Sequence, residues 1–357
     1  MTNNTPKYYD WAKTLSYDAD VTMVVGARGV GKTYGIRKQC VNDYIKHGYR
    51  FVEISRYKAE TKEISPGYFD KIAAEFPEYQ FKTDSKAGYI AKREIEDDEV
   101  KTKTDWHVIC YFVALSDLQK TKRRTFANVK RLIMDEAIID KTDRYHHYLP
   151  DEYTILANIV DSCSRERADD ESIEPRLYLL GNAVDIINPY FARYGISDEP
   201  KRGYTWHDGK HMILHFVDDA EYAKGKQSGT VAGRMLAGTA AGRVAAENVF
   251  DITGKEQIQQ KPPRAKFDFA LIWHGQTLAY WYDYKEELWY VTGRAPANAR
   301  SRTYALTPDD AGVDLVVFRS ASPHLKQVKA LLLLNGVRYE TARIRDTMLK
   351  IFKLCNL

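Results

Sequence analysis
The sequence predicts an α/β chain: a parallel sheet layered with helices, followed by a linker and a small α+β domain. Three observations predict this. Over the first 200 residues, apolar runs of strand length alternate with segments whose apolar residues recur at helical spacing. The first of these strands runs directly into a glycine-rich turn and then a helix. From residue 266 the pattern changes to three short strands in a meander, then a further strand and two helices. The expected domains are 1–200, a Gly- and Ala-rich linker subdomain over 201–265, and 266–357.

The first strand is the apolar run Val21-Thr22-Met23-Val24-Val25. It meets Gly26-Ala27-Arg28-Gly29-Val30-Gly31-Lys32-Thr33, the pattern G-x-x-x-x-G-K-[ST]. Ile36, Cys40, Val41, Tyr44 and Ile45 then recur at helical spacing. Strand, glycine loop and helix in that order make a phosphate site. The glycines let backbone N–H groups turn toward phosphate oxygens, and the helix N-terminus adds partial positive charge. ATP would lie along Gly26, Arg28, Gly29 and Gly31. Lys32 would reach its β- and γ-phosphates, and Thr33 would hold Mg²⁺.

The second strand, 51–55, ends at Arg56-Tyr57-Lys58. Tyr68, Phe69, Ile72, Ala73 and Phe76 mark a helix that stops at Pro77. Segments 79–84 and 88–93 read as a hairpin, 94–105 as a charged exposed stretch, and 106–115 as another strand. Leu132-Ile133-Met134-Asp135-Glu136 is an apolar strand ending in two carboxylates. Asp135 can hold Mg²⁺ there, and Glu136 can polarise a water for attack on the γ-phosphate. A strand inserted between the strands bearing these two motifs characterises the ATPase branch with an added catalytic glutamate. Residues 1–200 are therefore expected to form a P-loop NTPase domain of that branch (ASCE, RecA/FtsK-like). A polar loop, 140–148, carries Lys141, Arg144, His146 and His147. Pro150 starts a helix with Tyr153, Leu156, Ala157, Val160 and Cys163 on one face, and it runs into Arg165-Glu166-Arg167. One more strand, 176–182, ends in Asn182, which either senses the γ-phosphate or serves as a turn residue after Gly181.

Composition narrows the class. The 357 residues are 44% hydrophobic and 29% charged, an ordinary soluble balance. No apolar run approaches a bilayer span, and the N-terminus carries no signal-peptide core, so no membrane partner is expected. The four cysteines lie far apart with no C-x-x-C pair, which fits reduced thiols and offers no zinc framework. Charge is uneven: residues 1–199 hold 30 Lys+Arg against 33 Asp+Glu, and 200–357 hold 23 against 16. The basic C-terminal part hints at a polyanionic partner, with a solvated surface as the alternative. His207, His211 and His215 are spaced as on a helical metal face, but Asp208-Gly209 and the flanking residues favour a hairpin.

Taken together, Gly26–Thr33, Arg56-Tyr57-Lys58, Asp135-Glu136, Asn182-Ala183-Val184 and Asn188-Pro189-Tyr190-Phe191 keep one order and spacing. In these segments and in its C-terminal third the chain resembles the DNA-packaging (encapsidation) ATPase of phi-29-type small tailed phages. The resemblance implies a homo-oligomeric ring, expected as a pentamer, with ATP held between neighbours. Lys32, Thr33, Asp135 and Glu136 would act in cis. Lys58, or Arg56, would fall on a lid after the second strand. Arg165 would match an arginine finger given in trans, the alternative being a cation facing its own helix dipole. Lys122 would match a second trans-acting cation, with Lys120, Arg123 and Arg124 as neighbours competing for that role. Lys141 would match a pore-loop lysine on DNA phosphate, with Arg144 beside it.

The resemblance further implies double-stranded DNA bound without sequence preference, a portal or connector of an empty capsid, and room for a scaffold RNA. The place of action would be the host cytoplasm, transiently the portal vertex. Residues 266–357 would be a degenerate RNase H-like nuclease domain binding DNA or portal. Asp268, Asp283 and Asp314 make no convincing metal-binding trio, so nuclease activity is not expected. The expected function is an ATPase that pumps DNA into a capsid. Alternatives are a helicase or DNA-segregation ATPase, and an ATP-gated portal adaptor with little turnover.

Overall fold
The computed structural model describes residues 9–96, 99–102, 105–117, 125–139, 147–165, 174–186, 188–196, 200–218, 231–236, 255–273, 275–310, 316–317 and 323–354. It divides into two compact units, Met1–Asp251 and Ile252–Leu357.

The first unit is built on one mixed sheet. Its strands are β1 (Val21–Val25), β2 (Arg50–Ser55), β3 (Tyr79–Thr83), β4 (Ala87–Glu96), β5 (Glu99–Thr102), β6 (His107–Ala114), β7 (Val129–Met134), β8 (Arg176–Gly181), β9 (Gly203–His207) and β10 (Met212–Phe216). They lie in the order β3-β4-β6-β2-β7-β8-β1-β10-β9, with β5 folded back on β4. The six strands from β6 to β10 run parallel, and β3, β4 and β9 cap the edges antiparallel. β1, β2 and β8 are buried along almost their whole length, as parallel strands covered on both faces must be. β8 lies between β1 and β7, so the expected strand does separate the two motif-bearing strands. Helix Lys32–His47 covers one face through Ile36, Cys40 and Val41, all buried. Trp11 closes over its start: a Cβ on Gly35 would run into the indole.

Two sequence expectations change here. The charged stretch 94–105 is partly strand, since β4 runs on to Glu96 and pairs with β5. The boundary expected at residue 200 falls too early, because β9 and β10 belong to the first unit's sheet, β10 beside β1. An antiparallel pair with an Asp-Gly turn looks the same in sequence wherever it docks. The three histidines lie on or beside these strands, as the hairpin reading expects. His215 stacks on Tyr204 with ring centroids 3.7 Å apart, and His211 pairs with Asp20. Among the described residues no three His, Cys, Asp or Glu side chains converge as a metal site.

The second unit has β11 (Lys266–Trp273), β12 (Gln276–Asp283), β13 (Leu288–Thr292), β14 (Thr303–Ala305), β15 (Val316–Val317) and β16 (Val337–Tyr339), ordered β15-β14-β11-β12-β13-β16. β11 to β13 form the expected antiparallel meander, and β14 and β15 continue parallel from β11. This is the strand order of an RNase H-like sheet, with β16 added beside β13. Phe269, Leu271, Tyr280, Trp289 and Val291 on one face pack with Val328, Met348, Ile351 and Phe352 from helices Pro323–Leu333 and Ala342–Leu354.

Candidate active site
Three strand ends meet at one edge of the sheet. The glycine loop leaves β1, Asp135-Glu136 leaves β7, and Asn182 leaves β8 between them. Gly29 and Gly31 adopt φ of 85° and 92°, which only glycine takes without strain, so the loop curls back on itself. Lys32 is buried, and its ammonium donates to the carbonyls of Gly26 and Ala27, each at 2.9 Å. These bonds tie the ammonium across the loop that would cradle the phosphates. Arg28, beside them, is exposed.

The Thr33 hydroxyl donates to Asp135 Oδ2 at 2.8 Å. The other Asp135 oxygen accepts the Glu136 backbone N–H at 3.0 Å. Glu136 is exposed and sits at φ 52°, a left-handed conformation costly for a non-glycine residue and concentrated at functional sites. A hydroxyl and a carboxylate in contact form the hard-oxygen donor set that suits Mg²⁺. Asn182 lies beside the loop: its side-chain amide is 3.3 Å from Lys32 Nζ. With the amide turned to satisfy both ends, its nitrogen donates to the Gly26 carbonyl at 3.2 Å and its oxygen accepts from Arg28 Nε at 3.3 Å.

Arg56 and Lys58, the two lid candidates, differ in burial. Arg56 is 5% exposed and fully engaged. Its Nε and Nη2 donate to the two carboxylate oxygens of Glu152 at 2.8 and 3.0 Å, and Nη2 also donates to the Ala137 carbonyl at 3.0 Å. Glu152 is equally buried and accepts the Tyr190 hydroxyl at 2.6 Å and the Leu149 N–H at 2.9 Å. Lys58 is the exposed cation, at the start of helix Lys58–Ile64 and 3.6 Å from Asp117. A second buried network lies behind the loop. Arg37 donates to Glu53 on β2, which also accepts the Tyr68 hydroxyl at 2.6 Å. Burial pushes the Glu53 carboxyl above its ordinary range, and Arg37 opposes that shift. Sequence reading missed Glu152, Tyr190, Arg37 and Glu53 because nothing local marks a charged residue whose partner is far along the chain.

Arg165 is not brought to this edge. Glu152 begins helix Glu152–Arg165 beside Arg56, and Arg165 ends it about 20 Å away. Ser164 lines a groove with Val21 and Leu177, at the opposite ends of β1 and β8. The Arg165 guanidinium is exposed and pairs with Asp161, one helical turn back. Lys122, its neighbours Lys120, Arg123 and Arg124, and Lys141 and Arg144 lie outside the described residues. In the second unit, Asp283 is committed elsewhere: Arg264 Nε donates to its two oxygens at 3.1 and 2.8 Å, and the Lys285 N–H adds a bond at 3.0 Å. Asp268 lies on β11, and Asp314 falls outside the described residues.

Residues 4–356 match the family described as Podovirus DNA encapsidation protein (Gp16). The chain belongs to this family. It is similar to the DNA packaging protein of Bacillus phage phi29, 27% identical over 349 residues and covering 97% of each chain. It is also similar to the DNA packaging protein of Bacillus phage B103, 29% identical over 341 residues, covering 95% of this chain and 98% of the relative. Among solved structures it resembles a chain of the bacteriophage phi29 viral genome packaging motor assembly, with a TM-score of 0.74, 24% identity, and 98% and 99% of the two chains covered. The phi-28 gp11 DNA packaging motor gives a TM-score of 0.62 at 20% identity, covering 98% and 97%. The structural likeness carries the fold of this encapsidation-family chain; the site rests on its own geometry.

Proposed function
We propose that this member of the encapsidation family is an ATP-driven double-stranded DNA translocase that moves a phage genome into an empty capsid. The observation that carries the reading is the junction of Lys32, Thr33, Asp135 and Glu136 at one sheet edge. A passive portal adaptor has no use for an exposed carboxylate poised beside a phosphate loop. ATP would lie along Gly26, Arg28, Gly29 and Gly31, with Lys32 compensating charge on the β- and γ-phosphates. Thr33 and Asp135 would hold Mg²⁺, which when bound neutralises phosphate charge. Glu136 would accept a proton from the attacking water, and Asn182 would orient that water or the γ-phosphate.

Arg165 would complete the site of a neighbouring subunit, since its own helix carries it away from its own loop. Such a finger is worth roughly a thousandfold or more in turnover in other NTPases. Mixing Arg165→Ala subunits with Glu136→Gln subunits should restore part of the hydrolysis, because one interface in the mixture then holds both intact groups. No recovery at any ratio counts against the trans role. Lys58 would approach the nucleotide from the lid, Lys122 from the neighbour, and Lys141 and Arg144 would touch DNA phosphates. The chain would work as a pentameric ring on a portal, with a scaffold RNA as a further partner, in the host cytoplasm and at the portal vertex.

The test is ATP turnover with and without duplex DNA, combined with packaging into purified empty capsids. Turnover is expected to rise with duplex DNA of any sequence, the rise is expected to weaken steeply with salt, and the DNA is expected to enter the capsid intact. Strand separation of a forked duplex would favour a helicase. Turnover indifferent to DNA would favour an adaptor. Cleavage of the duplex with Mg²⁺ or Mn²⁺ would show a working nuclease in the second unit, against which the Asp283–Arg264 pair argues.

A further inference from the structure
Residues 9–11 precede the first strand and belong to no motif, yet they bond the glycine loop at two points. The Tyr9 backbone N–H donates to the Val30 carbonyl at 2.9 Å. The buried Trp11 indole donates its N–H to the Lys32 carbonyl at 2.8 Å. Gly35 makes room for that approach, because a Cβ there would run into the indole. Glycine inside a helix is otherwise unfavourable, so its place here has a packing reason.

Both bonds end on carbonyls, and that gives them a direction. In a trans peptide the C=O of one residue and the N–H of the next point opposite ways. Drawing the Val30 carbonyl toward Tyr9 turns the Gly31 N–H away from Tyr9. Drawing the Lys32 carbonyl toward Trp11 does the same for the Thr33 N–H. Gly31 and Thr33 belong to the run whose N–H groups would face phosphate oxygens at the helix start. The loop needs such a restraint, because Gly29 and Gly31 have no side chains to pack and their backbone turns at little steric cost.

The residues that supply the two bonds are themselves fixed. The Tyr9 hydroxyl lies 2.6 Å from Thr14 Oγ1 and 2.7 Å from Nδ1 of His215 on β10. Thr14 Oγ1 in turn lies 2.9 Å from the hydroxyl of Tyr204 on β9. The Trp11 ring meets Tyr9 and Tyr178 edge-on, with centroids 5.0 and 5.9 Å away. Asp10 caps helix Trp11–Leu15 through the Ala12 N–H.

We infer that Tyr9 and Trp11 are positioning residues for phosphate binding, holding the Gly31 and Thr33 N–H groups in the direction a polyphosphate needs before it arrives. The inference deepens the reading of the loop as an ATP site and rests on it. Donors fixed in advance lose less freedom when the ligand binds, and that gain appears as affinity. The ligand part concerned is the phosphate chain and not the base, since both bonds act on the loop backbone.

The test is Trp11→Phe in the full chain, which keeps a ring against Tyr178 and removes the indole N–H. Equilibrium binding of a non-hydrolysable ATP analogue and of inorganic tripolyphosphate is measured for both proteins. Both ligands are expected to bind more weakly to the variant by a similar factor, about three- to tenfold, the scale of one hydrogen bond. Urea unfolding without ligand is the control. A lowered unfolding midpoint with unchanged affinities overturns the inference and leaves Trp11 as core packing alone. A loss confined to the ATP analogue also overturns it, because Trp11 would then act on the base. Should Trp11→Phe not fold, Tyr9→Phe decides: it removes the hydroxyl that meets Thr14 and His215 and is expected to weaken tripolyphosphate binding about two- to threefold. Affinity equal to that of the parent protein overturns the inference there. If the parent protein binds neither ligand, the ATP-site reading itself fails and the inference falls with it.

Discussion
Lys32→Ala is expected to lower ATP turnover by about 10²–10³-fold, the scale of losing one fixed charge-stabilising donor. The direction follows from where the ammonium sits. It is buried at the mouth of the loop and held by the Gly26 and Ala27 carbonyls, so it is oriented before any phosphate arrives. Alanine removes the charge and leaves two carbonyls without their donor, at about 1–3 kcal/mol if water cannot replace it. The fold should survive, because the loop's shape comes from Gly29 and Gly31 and the strand behind it is buried along almost its whole length. Steady-state ATPase measurement with thermal unfolding as control checks this. Turnover within a few-fold of the parent protein would remove the loop from the chemistry.

Glu152→Ala is expected to have the largest effect on stability, about 3–5 kcal/mol, because it leaves the Arg56 guanidinium buried and unpaired. The same change removes the acceptor of the buried Tyr190 hydroxyl and of the Leu149 N–H. A double replacement, Arg56→Met with Glu152→Leu, should recover much of that loss, since no charge is then left without water or partner. Denaturant unfolding of the three proteins separates the cases. A Glu152→Ala variant within about 1 kcal/mol of the parent protein would show that water reaches Arg56. Activity should drop as well, because Arg56 bonds the Ala137 carbonyl directly beside the left-handed Glu136.

The difference between these two residues explains what could be read in advance. Lys32 belongs to an eight-residue motif whose constraints are local: glycines where φ must be positive, a lysine and a threonine where a helix begins. Asp135 and Glu136 follow the same logic at the end of an apolar strand. Glu152 follows a proline at a helix start, where an acidic residue is commonplace and usually solvated. Only its distance from Arg56 in the fold, after 96 residues of chain, makes it a buried partner. Lys58 and Arg56 could not be told apart in sequence for the same reason. The pair β9 and β10 read correctly as a hairpin, but whether it docked on the first sheet or stood in a linker depended on β1, which it follows by almost two hundred residues.

The sequence by itself determined a strand–glycine loop–helix motif, an apolar strand ending in a carboxylate pair, an α/β domain followed by a smaller sheet domain, and a family. Each of these is written in short-range patterns, where backbone conformation and side-chain chemistry constrain neighbours in the chain. Only the tertiary structure decided that β8 lies between β1 and β7, that Asn182 therefore reaches Lys32, that Arg56 is spent on Glu152, and that the Tyr9 hydroxyl meets His215. Those are pairings across long stretches of chain, and the physics that selects them is burial: a charge or a polar hydrogen removed from water must find a partner, wherever in the sequence that partner lies.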